Sequence, residues 1–251
     1  MAITKQVALV TGGSRGIGAA VARNLASKGY SVCINFKSQR AHAEKLRNEL
    51  MDDGFNAITV QADVSIEDDV VRLFNAVDNQ LGPVTALVNN AGILLPQMRV
   101  EDMDAQRINH VITTNITSQF ICAREAIKRI AFKYGGRGGA IVNVSSGAAR
   151  LGSPNEYVDY AASKGAVDTF TKGLALEMAE QGVRVNGVRP GSTYTDMHAD
   201  GGEPGRVERV KHKIPLKRGA QVDEIANAIG WLLSEEASYV TGTILDVTGG
   251  L

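Results

Sequence analysis

Short apolar runs alternate along this chain with longer stretches in which hydrophobic residues recur every three or four positions. The first run, Val7-Ala8-Leu9-Val10, has no polar member, which predicts a strand buried on both faces. Comparable runs predict strands at about 31–36, 57–61, 86–88, 138–145, 183–188 and 243–247. Between them a period of 3.6 predicts helices at about 16–28, 40–53, 66–80, 105–134, 158–181 and 222–233, the fourth interrupted near its start. Strands and helices in strict alternation predict an α/β fold, a doubly wound parallel sheet with helices on both faces. No linker, repeat or low-complexity run divides residues 1–251, so a single domain is expected. One glycine-rich interruption, Asp200-Gly201-Gly202-Glu203-Pro204-Gly205, falls between sheet elements. It is expected to form a mobile substrate lid spanning about 196–213.

Composition narrows the partners. With 27 basic and 27 acidic residues the formal net charge is zero, so there is no electrostatic case for nucleic acid or an anionic membrane. No apolar run approaches the roughly 20 residues needed to span a bilayer, and the N-terminus lacks the apolar core of a signal peptide. Cys33 and Cys122 lie in apolar surroundings and are expected to be buried free thiols, which suits a reducing cytoplasm.

Chemistry enters at two places. Directly after the first strand comes Thr11-Gly12-Gly13-Ser14-Arg15-Gly16-Ile17-Gly18. Glycines here allow a tight turn and bring backbone N–H groups up to a pyrophosphate at the positive end of the following helix. No Lys-Ser/Thr follows the last glycine, which excludes the phosphate loop of nucleotide hydrolases. At the end of the second strand, Ile34-Asn35-Phe36-Lys37-Ser38 carries no carboxylate to bind a ribose 2′-OH. Lys37 there and Arg15 in the glycine loop favour the 2′-phosphate of NADPH over NADH.

The second place is Tyr160-Ala161-Ala162-Ser163-Lys164, which puts a phenol and an ammonium one helical turn apart. A fixed ammonium ~4 Å from a phenol supplies about 4 kcal/mol at an effective dielectric of ~20, or roughly three pKa units. That predicts a phenol tuned towards neutrality, suited to proton exchange with an alcohol or carbonyl.

The Thr-Gly-x-x-x-Gly-x-Gly loop, Asn89-Asn90-Ala91-Gly92, the pair Ser145-Ser146, Tyr160-x-x-x-Lys164 and Pro190-Gly191 occur together and in order. In these motifs the chain resembles the short-chain dehydrogenase/reductase family over essentially its full length. The resemblance implies a Rossmann-type sheet of about seven strands and a homotetramer. It also implies Tyr160 as catalytic acid/base, Lys164 as its pKa-lowering partner and ligand of the nicotinamide ribose, and Ser146 rather than Ser145 as the clamp on the substrate oxygen. Asn115 would hold a water in a proton relay from the lysine. The cofactor NADP(H) would meet Gly12, Ser14, Arg15, Gly16, Ile17, Gly18, Asn35 and Lys37. Further along the chain, Asp63 and Val64 would contact the adenine, and Asn89, Ala91, Gly92, Pro190, Gly191, Thr193 and Thr195 the rest of the cofactor.

The expected function is therefore NADP(H)-dependent interconversion of a small-molecule carbonyl and an alcohol. The segment Asn155-Glu156-Tyr157-Val158-Asp159 suggests a polar pocket wall and a small or sugar-like substrate. Two alternatives are a 3-oxoacyl-carrier-protein reductase and a non-catalytic dinucleotide-binding regulator. Gln181-Gly182 stands where carrier-protein reductases tend to have a basic residue, which disfavours the first, and an intact Ser146/Tyr160/Lys164/Asn115 set disfavours the second. His42, His110, His198 and His212 lack metal-ligand spacing, so no metal is expected. His198 in the lid is the histidine placed to touch substrate. Arg206, Arg209, Lys211 and Lys213 suggest a solvated helix face or a contact for an anionic group. Ser163 lacks the partners of a hydrolase nucleophile.

Overall fold

Seven parallel strands form one sheet in the computed structural model, which describes residues 6–251. They are β1 (Val7–Val10), β2 (Ser31–Phe36), β3 (Ala57–Gln61), β4 (Ala86–Asn89), β5 (Gly139–Val144), β6 (Val183–Pro190) and β7 (Ile244–Val247). Their order is β3-β2-β1-β4-β5-β6-β7. The helices are α1 (Gly16–Ser27), α2 (Arg40–Asp52), α3 (Glu67–Gln80), α4 (Ala105–Ile112), α5 (Ser118–Ile130), α6 (Ala148–Leu151), α7 (Val158–Met178), α8 (Met197–Asp200), α9 (Arg206–Val210) and α10 (Val222–Leu233).

The two-residue repeat of a strand sends alternate side chains to opposite faces, and each inner strand feeds two cores. Ala8 and Val10 of β1, with Val32, Ile34, Val88 and Val142, pack against α1, α2 and α10. Val7 and Leu9, with Cys33, Leu87 and Ile141, pack against α3, α5 and α7. This is why the inner strands β1, β2 and β4 read as largely apolar runs: both of their faces are buried. Cys33 and Cys122 are free and buried in the second core, and burial pushes the Cys122 thiol up to about 12 and Cys33 higher still. The chain runs outward from β1 to β3, then returns to β4 on the other side of β1. That reversal opens a crevice at the carboxyl ends of the central strands, the place where such sheets bind ligands.

The expected helix at 105–134 is not continuous. α4 passes into a π turn, Thr113–Thr117, before α5 begins, and a 3-10 turn, Phe132–Tyr134, follows after α5. The extra residue in the π turn re-aims the face and delivers Asn115 into the interior, where it is fully buried.

Candidate active site

A cavity of about 640 Å³ lies over the crevice. One side is the glycine loop. Gly16 adopts φ +55, and a Cβ on Gly18 would stand 2.4 Å from the Gly12 carbonyl oxygen, so neither position takes a larger residue without rearrangement. Asn35 holds the loop from β2: its Oδ1 accepts the Gly12 N–H at 3.2 Å, while its Nδ2 donates to the carbonyls of Val60 and Ala62. No side chain caps the first turn of α1, whose N–H groups therefore suit an anionic group at its positive end. The cations Arg15 and Lys37 also line the cavity. Uncapped N–H groups, closely approaching glycines and two cations match a dinucleotide phosphate in chemistry.

Neither cation is bare. Arg15 pairs with Asp200 of α8, across the cavity, and Lys37 Nζ lies 2.6 Å from Asp63. Burial works against the Asp63 charge, but hydrogen bonds from Lys37 and Ser65 hold its carboxyl below the usual range.

β5 and α7 build the second side. Ser145 Oγ donates to the Lys164 carbonyl at 3.1 Å and is tied into the protein. Ser146 instead faces the same cavity as Tyr160, whose pKa it lowers, and accepts the Ala148 N–H at 3.1 Å. Lys164, only 2% exposed, donates to the Val144 carbonyl at 2.8 Å and lies 5.6 Å from the centroid of the Tyr160 ring. The expected neutral-range phenol is not what this geometry gives. Burial raises the Tyr160 pKa above the ordinary value of 10, and Ser146 opposes that only in part. Spacing correctly made the lysine a neighbour, but it could not report how deeply both groups are buried. Burial also lowers Lys164, to about 8, with Asp168 acting against it.

All the expected site residues line the cavity except two. Asn89, the last residue of β4, points into the protein and donates to Asn143 Oδ1 at 2.9 Å. The next residue, Asn90, lines the cavity in its place and donates to the carbonyls of Thr11 and Gly12. Asn115 stands behind the wall. Its Oδ1 accepts the Ile93 N–H at 2.8 Å, and its Nδ2 donates to the Ile93 carbonyl and to Ser163 Oγ, both at 3.1 Å. Ser163 passes the link on to the Tyr160 carbonyl, a structural role that its neighbourhood in the sequence did not reveal.

The two carboxylates expected to make the wall polar are both paired with arginines. Glu156 is held by Arg206 and Arg209, which bind Glu203 as well, and Asp159 is paired with Arg107. The Tyr157 hydroxyl donates to the Gly201 carbonyl at 3.3 Å. Carboxylates that stand unpaired in the sequence are thus neutralised by arginines from α9 and from α4. The remaining lining is mixed: Ile93, Leu94, Leu95, Leu151 and Met197 stand beside Ser153, Asp196, His198 and Arg206. His198 Nε2 lies 3.1 Å from the Thr193 carbonyl, and burial and the nearby Arg206 charge lower its pKa.

A family model described as enoyl-(acyl carrier protein) reductase matches residues 12–251. An uncharacterized oxidoreductase of Escherichia coli K12, YgfF, is 59% identical over 97% of this chain and 99% of its own length. The 3-oxoacyl-[acyl-carrier-protein] reductase FabG of Staphylococcus aureus is 37% identical over 100% of this chain and 99% of its own length. The chain belongs to the short-chain dehydrogenase/reductase family. A solved member of the same fold is the crystal structure of a blue fluorescent protein from a metagenomic library in complex with NADPH. It is 34% identical with a TM-score of 0.89, covering 98% of this chain and 97% of its own. As a short-chain dehydrogenase/reductase the protein is an oxidoreductase of carbonyl and alcohol groups, and its Rossmann-type sheet carries the site where the expected motifs converge.

Proposed function

We propose that this short-chain reductase converts a small-molecule carbonyl to an alcohol with NADPH, using Tyr160 as proton donor, Ser146 as oxygen clamp and Lys164 as the supporting cation. The observation that carries the reading is the convergence of Tyr160 on Ser146, with Lys164 beneath, in the same cavity as the glycine loop. Arg15 and Lys37 are the groups for a 2′-phosphate, and the NADPH-bound structural relative supports that choice. Gly12, Ser14, Gly16, Ile17 and Gly18 would hold the pyrophosphate. Asp63 and Val64 would flank the adenine, while Ala91, Gly92, Pro190, Gly191, Thr193 and Thr195 would flank the nicotinamide side.

NADPH supplies the hydride when bound. Ser146 donates a hydrogen bond to the carbonyl oxygen and stabilises the negative charge that develops there. Tyr160 holds its proton at neutral pH because burial raises its pKa, and releases it to that oxygen. Lys164 is still largely charged at neutrality and stabilises the phenolate left behind. Asn115 borders Lys164 across Gly92 and ties the π turn to α7 through Ser163, which suits a relay returning a proton from the lysine side.

A second reading, a 3-oxoacyl-carrier-protein reductase, is favoured by the names of the relatives at 37–39% identity and by the apolar side chains of Ile93, Leu94, Leu95, Leu151 and Met197 in the lining. NADPH oxidation against a panel of small carbonyls and acyl thioesters separates the two, with Tyr160→Phe as control. Unchanged activity in that variant would remove the mechanism.

We also infer a cytoplasmic homotetramer. The unpaired thiols suit the compartment. Two exposed apolar faces suit the assembly: Ile108, Ile112, Phe120 and Leu176 on α4, α5 and α7, and Trp231 with Tyr239 beyond α10. Light scattering of the purified protein tests it; a monomer at micromolar concentration would contradict it.

A further inference from the structure

We propose that Asp168 is a positioning residue for the reaction: one turn beyond Lys164 on α7, it keeps the buried Lys164 side chain cationic and ties the Tyr160 helix to the same sheet edge as the Ser146 loop. Tyr160, Lys164 and Asp168 occupy successive i, i+4 positions and so share one helix face. Asp168 is largely buried, with 15% of its side chain exposed. Its Oδ2 accepts from Arg189 Nε at 2.9 Å and lies 2.8 Å from Nη2 of the same guanidinium, while its Oδ1 is buried without a hydrogen-bond partner.

The pairing continues. Arg189, on β6, also lies 3.2 Å from Asp246 of β7, which lies 2.7 Å from Arg150 of α6. α6 begins two residues after Ser146. Four charges therefore connect the helix that carries Tyr160 to the helix that follows Ser146, by way of two strands.

Lys164 needs such a partner. Val144 of β5 offers it a carbonyl, Gly92 packs beside it, and Asn115 of the π turn stands across Gly92. The ionisable side chains that flank it along α7 are Tyr160 and Asp168, one helical turn to either side; Arg189 on β6 and Asp246 on β7 lie behind Asp168. One carbonyl does not offset the cost of taking an ammonium out of water, whereas a nearby carboxylate does. Burial already brings Lys164 down to about 8 with Asp168 opposing it. Without that carboxylate the lysine would lose its proton within the neutral range. The catalytic consequence rests on the reaction proposed above; the charge of Lys164 does not.

Competitive labelling with trace acetic anhydride across pH, read by mass spectrometry of the Lys164 peptide, measures the titration midpoint in the full-length protein. For charges one helical turn apart at an effective dielectric of about 20, Asp168→Asn is expected to lower the midpoint by of order one pH unit. Asp168→Glu is expected to restore it. Arg189→Gln leaves the carboxylate and removes its counter-ion, so the midpoint is expected to rise, and this variant decides the matter if Asp168→Asn fails to fold. The basic limb of kcat/KM for carbonyl reduction should follow the lysine in each variant. An unchanged Lys164 midpoint in either folded variant, whatever its loss of thermal stability, would reduce Asp168 to a structural brace. A midpoint that moves while the limb stays would leave the Asp168 inference standing and overturn the proposed role of Lys164.

Discussion

The Arg107–Asp159 pair offers a direct test of how Tyr160 is held. Arg107 Nε lies 2.8 Å from Asp159 Oδ2, with the side chains only 10% and 4% exposed. The other carboxylate oxygen accepts the Tyr160 N–H at 2.8 Å, so this pair fixes the first turn of α7 to α4 at the residue that bears the phenol. Asp159→Asn preserves the acceptor for Tyr160 but leaves a buried guanidinium without its counter-ion. Breaking one partner of a buried pair costs about 3–5 kcal/mol, and Arg107 Nη2 already lacks a hydrogen-bond partner to share the charge. At roughly 2–4 °C per kcal/mol for a chain of this size, the expected drop in Tm is about 6–20 °C. Arg107→Met in the same background removes the stranded charge, and the double variant should recover to within about 1 kcal/mol of the parent. Denaturant unfolding of the four proteins, as a double-mutant cycle, reads the coupling. A loss below about 1 kcal/mol in Asp159→Asn, or a double variant no better than the single, would refute the buried-charge account.

Two other predictions concern the charges at either end of the cavity. Arg15 and Asp200 are 38% and 48% exposed, so their pair is worth about 0.2–1 kcal/mol, and a 2′-phosphate that recruits Arg15 must displace Asp200. Asp200→Asn should therefore tighten NADPH binding by up to about fivefold with little change for NADH; equal gains for both cofactors, measured by fluorescence titration, would show that Arg15 does not meet the 2′-phosphate. Lys164 is depressed from 10.5 to about 8, so between those values the folded state binds fewer protons than the unfolded, and its contribution to stability rises with pH across that window. Below about 8 the full burial cost is present, and Lys164→Met should stabilise the protein by about 3 kcal/mol at pH 7 while abolishing reduction; a destabilised variant would show that the ammonium is better compensated than its surroundings indicate.

Periodicity made the strands and most of the longer helices readable, because a sheet covered on both faces is built mainly from apolar residues, and the glycine loop was legible from its residue types. The π turn escaped because a hydrophobic period of 3.6 has no marker for one inserted residue; Asn115 in Thr114-Asn115-Ile116 was identified by motif, but not that it stands behind the wall. Asn89 was misplaced for a reason that alternation supplies: it is the last residue of β4, so its side chain and that of Asn90 face opposite ways. A sequence shows the carboxylates of Glu156 and Asp159 without showing which arginines, 50 and 52 positions away, neutralise them.

The electrostatics of Tyr160 make sense only when the two protonation states are weighed separately. A proton donor must keep its proton until the substrate oxygen becomes strongly basic, and burial, which raises the phenol, ensures this. In the reduction proposed above the site would then have to accept a phenolate, and burial works against that state. In the proposed mechanism Ser146 and the Lys164 ammonium would stabilise that second state, and the ammonium would in turn depend on Asp168 to remain charged. A hydrophobic replacement could hold α7 against the sheet equally well, but it could not stabilise the phenolate. The buried charges around Tyr160 are thus explained by the state formed during turnover rather than by the stability of the resting fold.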